Sequence, residues 1–173
     1  MSVLSLRKVI ELLEEYTQKN KSRLEIILIG GLALHFYGLH GRSTIDLDAE
    51  VRGEVEPLMK FLKKNKIPAD IGESIERWST INLLPGYRRR ALPFYKQKFL
   101  VIKVLAPLDF VITKLRRFTE DDLHDALFVA DKYRLSSSVM KKAGAKIIKS
   151  SPKDTALFAF KKNLDYFLRR LKD

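Results

Sequence analysis

The chain predicts an α/β domain, a mixed sheet flanked by helices with a helical region at its C-terminal end. Three observations carry that expectation. An apolar run, Glu25–Ile29, stops at Gly30-Gly31 and passes straight into Leu32–Tyr37, a short apolar segment of helical character, so a strand hands over to a helix through two glycines. Thr44–Val51 (TIDLDAEV) alternates apolar and polar residues with period two, the mark of a strand with one buried face. Long stretches on either side place apolar residues at helical spacing.

The elements succeed one another along the chain. Val3, Leu6, Val9, Ile10, Leu13 and Tyr16 line one face of an amphipathic helix over residues 3–19. Glu54–Lys64 is a second, with Leu58, Phe61 and Leu62 inward and Met59 at its margin, and Pro68 breaks the chain's pattern soon after it. Residues 77–84 (RWSTINLL) alternate weakly and end at the turn signal Pro85-Gly86, which predicts a strand; Arg88-Arg89-Arg90 then reads either as a solvated loop or as a contact to a phosphate backbone. Leu100–Leu105 is a β-branched strand closed by Ala106-Pro107, where proline suits a first helical turn. Helical patterns occupy 108–118 and 119–133, the latter capped by Thr119 with Asp122 three residues on and with Glu120 and Asp121 at the positive end of the helix dipole. Helices over Ser136–Ile148 and Pro152–Leu171 complete the chain, the last burying Phe158, Leu164, Phe167, Leu168 and Leu171 and turning Lys161, Lys162, Arg169, Arg170 and Lys172 outward. The domain boundary falls near residue 107, giving a core over 1–107 and a helical region over 108–173.

Composition narrows the chemistry. With no cysteine among 173 residues, disulfides and thiolate metal sites are excluded, and a cation must be held by oxygen or by the three histidines. Oxygen ligands suit Mg2+ or Mn2+. No apolar run approaches the roughly 18 residues a bilayer span needs, and the N-terminus lacks a signal-peptide apolar core, so the expectation is a cytoplasmic protein that does not enter the membrane. The net charge of +12, from 33 Lys+Arg against 21 Asp+Glu, fits either a field that attracts nucleotides and nucleic acid or the charge-rich surface of a thermophile.

The segment from Ile29 to Val51 concentrates the candidate chemistry. Gly30 and Gly31 lack Cβ atoms and admit close approach of a ligand to the backbone, and the helix start behind them favours an anion such as phosphate. On the following strand Ile45, Leu47, Ala49 and Val51 are expected inside, which leaves Asp46, Asp48 and Glu50 on the opposite face. Carboxylates at i and i+2 lie about 6.6 Å apart along a strand, close enough to converge on one cation or on a pair of cations about 3.5 to 4 Å apart.

Gly30-Gly31, followed by Arg42-x-Thr44-x-Asp46-x-Asp48, resembles the signature of the nucleotidyltransferase superfamily, whose members include DNA polymerase beta, kanamycin nucleotidyltransferase and the tRNA CCA-adding enzymes. The likeness is greatest to its small prokaryotic branch, related to the minimal nucleotidyltransferases and the abortive-infection toxins. That resemblance implies the nucleotidyltransferase fold and a metal-dependent enzyme that moves a nucleoside monophosphate from a nucleoside triphosphate to a hydroxyl on tRNA, another RNA or a protein. It implies Asp46 and Asp48 as catalytic metal ligands, and Gly30, Gly31, Arg42 and Thr44 as the nucleotide and phosphate seat. Relatives carry a third carboxylate on the strand expected here over 77–84, where this chain has Asn82; Glu50 or Glu76 are alternative sources of that charge. Lys114, Arg117, Asp122 and Asp125 match a Lys-x-x-Arg, then Asp-x-x-Asp arrangement of the toxin-like branch, which implies Lys114 and Arg117 as phosphate contacts. Two other readings stay open: a degenerate fold that binds nucleotide or RNA without chemistry, and the toxin of a toxin–antitoxin pair whose helical region docks a protein partner.

Overall fold

The structure, a computed structural model, describes residues 4–41 and 44–171. It divides into two compact units, one formed by residues 1–75 and 91–105 and the other by 76–90 and 106–173.

The first unit is built on a mixed five-stranded sheet. Its strands are β1 (Leu24–Leu28), β2 (Leu47–Arg52), β3 (Ala69–Gly72), β4 (Leu92–Lys96) and β5 (Leu100–Val104), in the spatial order β3-β2-β1-β5-β4. The central strand β1 runs antiparallel to β2 and parallel to β5, and β2 runs parallel to β3. Ile26, Ile27 and Leu28 are buried in succession because β1 lies in the middle of the sheet. Helix α1 (Leu6–Asn20) begins at an N-cap where Ser5 Oγ accepts from Lys8 N; it buries Val9, Leu13 and Tyr16 and packs against β5 and α2 (Gly31–Phe36). Helix α3 (Val55–Lys64) buries Leu58 and Leu62 and packs on β3, with Met59 at the exposed margin as its spacing predicts.

Two strands escape the sequence reading, and both lie at sheet edges. β3 has only four residues, Ala-Asp-Ile-Gly, a composition poor in strand formers. β4 carries Pro93, which has no N–H to donate, and its pairing with β5 shifts register between Pro93 and Tyr95; an edge position tolerates both features. In β2, Leu47, Ala49 and Val51 are buried as expected, but Ile45, ahead of the strand, is 43% exposed. Glu50, expected on an open carboxylate face, is only 5% exposed and its Oε2 accepts from Ile75 N at 2.8 Å. Its neighbours across the sheet, Ile27 and Gly72, leave it beneath the turn that follows β3.

The second unit is helical: α5 (Pro107–Arg117), α6 (Glu120–Lys132), α7 (Ser137–Ser150) and α8 (Thr155–Leu168), preceded in sequence by the one-turn helix α4 (Tyr87–Arg90). Helix α5 packs on α6 and α8, and α7 packs on α8. The strand expected over 77–84 does not form. A 3-10 turn at Ile75–Trp78 leads instead into irregular chain pinned by side chains: Arg116 donates to Ser79 O, Thr80 to Asp154, and Arg90 to the carbonyls of Leu84 and Pro85. Arg90 also makes a two-pronged pair with Asp109, which is fully buried. The three arginines thus lie in a helical turn, with Arg90 tied to Asp109 and Arg88 over the Tyr87 ring. Phe158, expected inside, is 63% exposed; α8 starts three residues later than Pro152, and its buried stripe runs through Leu157, Phe160, Leu164 and Phe167.

Charge burial holds α5 to α6. Lys114, nearly inaccessible, lies 3.1 Å from Asp122 and 2.9 Å from Asp125, while Arg117 grips both oxygens of Asp122 at 2.7 and 2.8 Å. Asp122 is also the third residue of the Thr119 capping box foreseen in the sequence. Burial alone would push the Asp122 carboxyl up, but Arg117, the Thr119 backbone and Lys114 outweigh it and hold it well below the usual carboxylate range. Asp122→Asn should cost about 3 kcal/mol in urea unfolding, because Lys114 stays buried with half its countercharge gone. The depressed pKa adds stability that is complete above the unfolded value of 3.8 and is lost as acid titrates the group, so wild type should lose stability below about pH 4 more steeply than Asp122→Asn. Parallel acid limbs for the two proteins would contradict this assignment.

Candidate active site

The turn between β1 and α2 brings four of the residues singled out in the sequence into contact. The β1–β2 ladder pairs Leu28 with Ala49, and Ile29 N donates to Asp48 O at 3.1 Å, so Asp48 lies beside the glycines. A Cβ placed on Gly30 would come within 2.0 Å of Asp48 Oδ2 and 2.9 Å of its Cγ. One on Gly31 would meet Thr44 Oγ1 at 2.6 Å and Thr44 Cβ at 2.7 Å. The glycines therefore have an internal role that the sequence did not reveal: they leave room for the side chains of the acidic segment itself.

Thr44 links the two halves. It is 5% exposed, its carbonyl accepts from Leu4 N at 2.8 Å, and its hydroxyl lies 3.3 Å from Asp46 Oδ1. Asp46 precedes β2 and Asp48 lies within it, both half-buried and with the same strand parity. Two half-buried carboxylates of one strand parity suit a hydrated Mg2+, which takes one or two protein carboxylates and completes its shell with water and substrate phosphate. Among the described residues no group of three or more acidic or histidine side chains comes together as a metal site. Arg42 lies outside the described residues.

The remaining candidates lie in the second unit. Asn82 N donates to Ser151 Oγ at 3.0 Å and its amide Nδ2 donates to Ser150 O at 2.6 Å, tying residues 80–82 to the end of α7. That second bond explains the amide, since a carboxylate has no proton to give a carbonyl. Lys114 and Arg117 are engaged by Asp122 and Asp125, although the Arg117 side chain keeps 70% of its surface exposed. Arg116 was not singled out in the sequence, yet it donates to Ser79 O at 3.1 Å and so helps to hold the segment after the 3-10 turn. Its Nε is buried without a hydrogen-bond partner, and burial lowers its pKa to about 10 against the opposing pull of Glu76 and Tyr87. The Lys-x-x-Arg pattern passes over Arg116, and its contact with Ser79 comes from residues remote in sequence.

A solved structure shares this fold. The crystal structure of an antigenic nucleotidyltransferase-like protein from Paracoccidioides brasiliensis matches with a TM-score of 0.50 at 14% identity, over 91% of this chain and 95% of that one. No curated protein matches the chain. Residues 4–166 match a family model described as nucleotidyltransferase of unknown function (DUF6036), and the chain belongs to that family.

Gly31→Ala should destabilise the protein by about 1 to 3 kcal/mol, since Thr44 Cβ cannot swing aside as a flexible chain end would. Gly30→Ala should destabilise it by a similar amount, because the added methyl would press on Asp48 Cγ and Cβ as well as on the carboxylate oxygen. Thermal unfolding of both proteins checks the pair, and a Gly31→Ala protein as stable as wild type would show that Thr44 yields freely.

Proposed function

We propose that the protein is a metal-dependent nucleotidyltransferase that transfers a nucleoside monophosphate from a nucleoside triphosphate to a hydroxyl acceptor on RNA or protein. The observation that carries this reading is the Asp48 carboxylate against Gly30, with Thr44 beside Gly31 and its hydroxyl 3.3 Å from Asp46. Asp46 and Asp48 would hold Mg2+ or Mn2+. The bound ion would supply neutralisation of the triphosphate charge and orientation of the α-phosphate. The protein's own part is positional: Gly30 and Gly31 leave the room in which Asp48 and Thr44 stand, Thr44 orients Asp46, and Arg42 adds positive charge to the same segment. The acceptor oxygen forms a bond to the α-phosphorus, the bond from that phosphorus to the pyrophosphate oxygen breaks, and pyrophosphate leaves with the electron pair. Lys114 acts by holding α5 against α6. Asn82 is assigned to holding its loop, and the acceptor proton passes to solvent or to the Asp46–Asp48 pair.

A second reading, a protein that binds metal-nucleotide without transfer, is favoured by the engagement of Glu50 with Ile75, which withholds its charge from the pair, and by the neutral amide at Asn82.

Asp46→Asn and Asp48→Asn should each lose Mg2+-dependent nucleotide binding by tenfold or more while unfolding no earlier than wild type, because one of two neighbouring like charges is removed. Calorimetric titration with magnesium and triphosphate checks this, and unchanged binding in both variants refutes the metal assignment. Transfer of radiolabelled nucleotide to total RNA or protein separates the two readings. Asn82→Asp should lower stability by about 1 to 2 kcal/mol and leave transfer no faster, since a carboxylate would face the Ser150 carbonyl.

A further inference from the structure

The positive charge of this protein is unevenly placed. Residues 76–90 and 106–173 carry 19 Lys+Arg against 10 Asp+Glu, whereas the sheet unit carries 14 against 11, so nine of the twelve net charges belong to the helical unit. That unit also holds five of the seven large apolar side chains exposed among the described residues. Excess charge alone would describe a solvated surface. Exposed rings among the cations require another explanation.

The two features coincide on α8. Phe158, Lys162, Tyr166 and Arg170 follow one another at steps of four, which places them along one side of the helix and its final turn, away from Leu157, Phe160, Leu164 and Phe167 in the core. Lys162 Nζ lies 4.5 Å from the centre of the Phe158 ring, and the Arg170 guanidinium lies 3.8 Å from that of Tyr166. Phe158 is 63% and Tyr166 41% exposed, and the edge-on Phe118 ring steadies Tyr166 from below. Ring and cation thus alternate, the two rings about 12 Å apart along the axis at 1.5 Å per residue.

We infer that this outer side of α8 binds single-stranded nucleic acid, bases stacking on the Phe158 and Tyr166–Arg170 faces and phosphates meeting Lys162 and the flanking Lys161. A ligand that fits must offer flat apolar faces and regular negative charge together, and an unpaired strand offers both. A duplex offers the charge but hides its base faces. An anionic membrane would call for a continuous apolar stripe, which the intervening cations interrupt. The identification of the strand as the acceptor in nucleotidyl transfer rests on the function proposed above; its binding to α8 does not.

Fluorescence anisotropy with a labelled 12-nucleotide oligouridylate, without magnesium or triphosphate, tests the inference. Wild type should bind it more tightly than a duplex of equal length. Phe158→Ala with Tyr166→Ala should weaken binding on the order of tenfold per ring with the salt dependence unchanged. Lys162→Ala with Arg170→Ala should instead flatten the slope of log K against log salt by about one. All four side chains are surface groups, and unfolding temperatures confirm that the variants are folded. Equal affinity for the duplex, ring-free variants that bind as wild type, ring-dependent adsorption to phosphatidylserine vesicles without oligonucleotide binding, or ring-dependent self-association in sedimentation would each overturn it. Asp46→Asn should bind the oligonucleotide normally. Ring-dependent binding in a protein that transfers nothing would therefore sink the proposed chemistry and leave this surface standing.

Discussion

The close approach of the β1–α2 turn to the acidic segment is the constraint on which the sheet unit depends. Two side chains, Asp48 and Thr44, occupy the volumes that Cβ atoms at Gly30 and Gly31 would fill. Because strand faces alternate with period two, a slip of one residue between β1 and β2 would carry Asp48 away from Gly30 and bring Leu47 or Ala49 there instead. Steric fit at the glycines and apolar burial of Leu47, Ala49 and Val51 therefore select the same register. Packing that stabilises the sheet also sets the position of the carboxylates, so substitutions at the glycines combine effects on stability and on the site.

The helical unit meets a different demand. Its charge excess works against compaction, and the structure answers with paired charges at element junctions. Asp122 and Asp125 enclose the Lys114 ammonium, Asp109 takes the Arg90 guanidinium, and Asp154 caps α8 while accepting from Thr80. Isolated exposed pairs contribute little, but pairs with a buried carboxylate specify which elements meet, since the alternative is an unpaired buried charge. Basic residues beyond these junctions remain on the surface. Their concentration around α7 and α8, together with the rings on α8, turns a generic electrostatic surface into one with a preference for form.

Residue pattern alone located much of this. The strand, glycine pair and helix of residues 24–36 were legible because a buried run and two glycines leave few other conformations. The acidic strand was legible from alternation, α5 and α6 from spacing and the Thr119 cap, and the nucleotidyltransferase family from the ordered Gly-Gly and Asp-x-Asp motif, which the family match and the shared fold support. Edge strands were not legible. β3 and β4 are held by neighbours remote in sequence, and neither four residues with a glycine nor a stretch broken by proline states a preference of its own. The strand expected over 77–84 failed for the converse reason: its weak alternation was overruled by bonds from Arg116, Asp154 and the end of α7, all distant along the chain.

By itself, then, the sequence determined which residue types could do chemistry and which segments would be helix or central strand, because local spacing and the missing Cβ atoms act over a few residues. Only the tertiary structure decided how each polar group is used. Glu50 looks like a third carboxylate beside Asp46 and Asp48, yet burial against Ile75 N makes it a structural acceptor. Asn82 looks like a replaced acid, yet its amide must donate to Ser150 O. Lys114, Arg116 and Arg117 are three similar cations within four residues, and α6 and residues 76–79 distinguish them by enclosing the first, burying the second and leaving the third half open. A side chain's role depends on the partner it meets and on how much water remains, and both are set by contacts that the linear order does not contain.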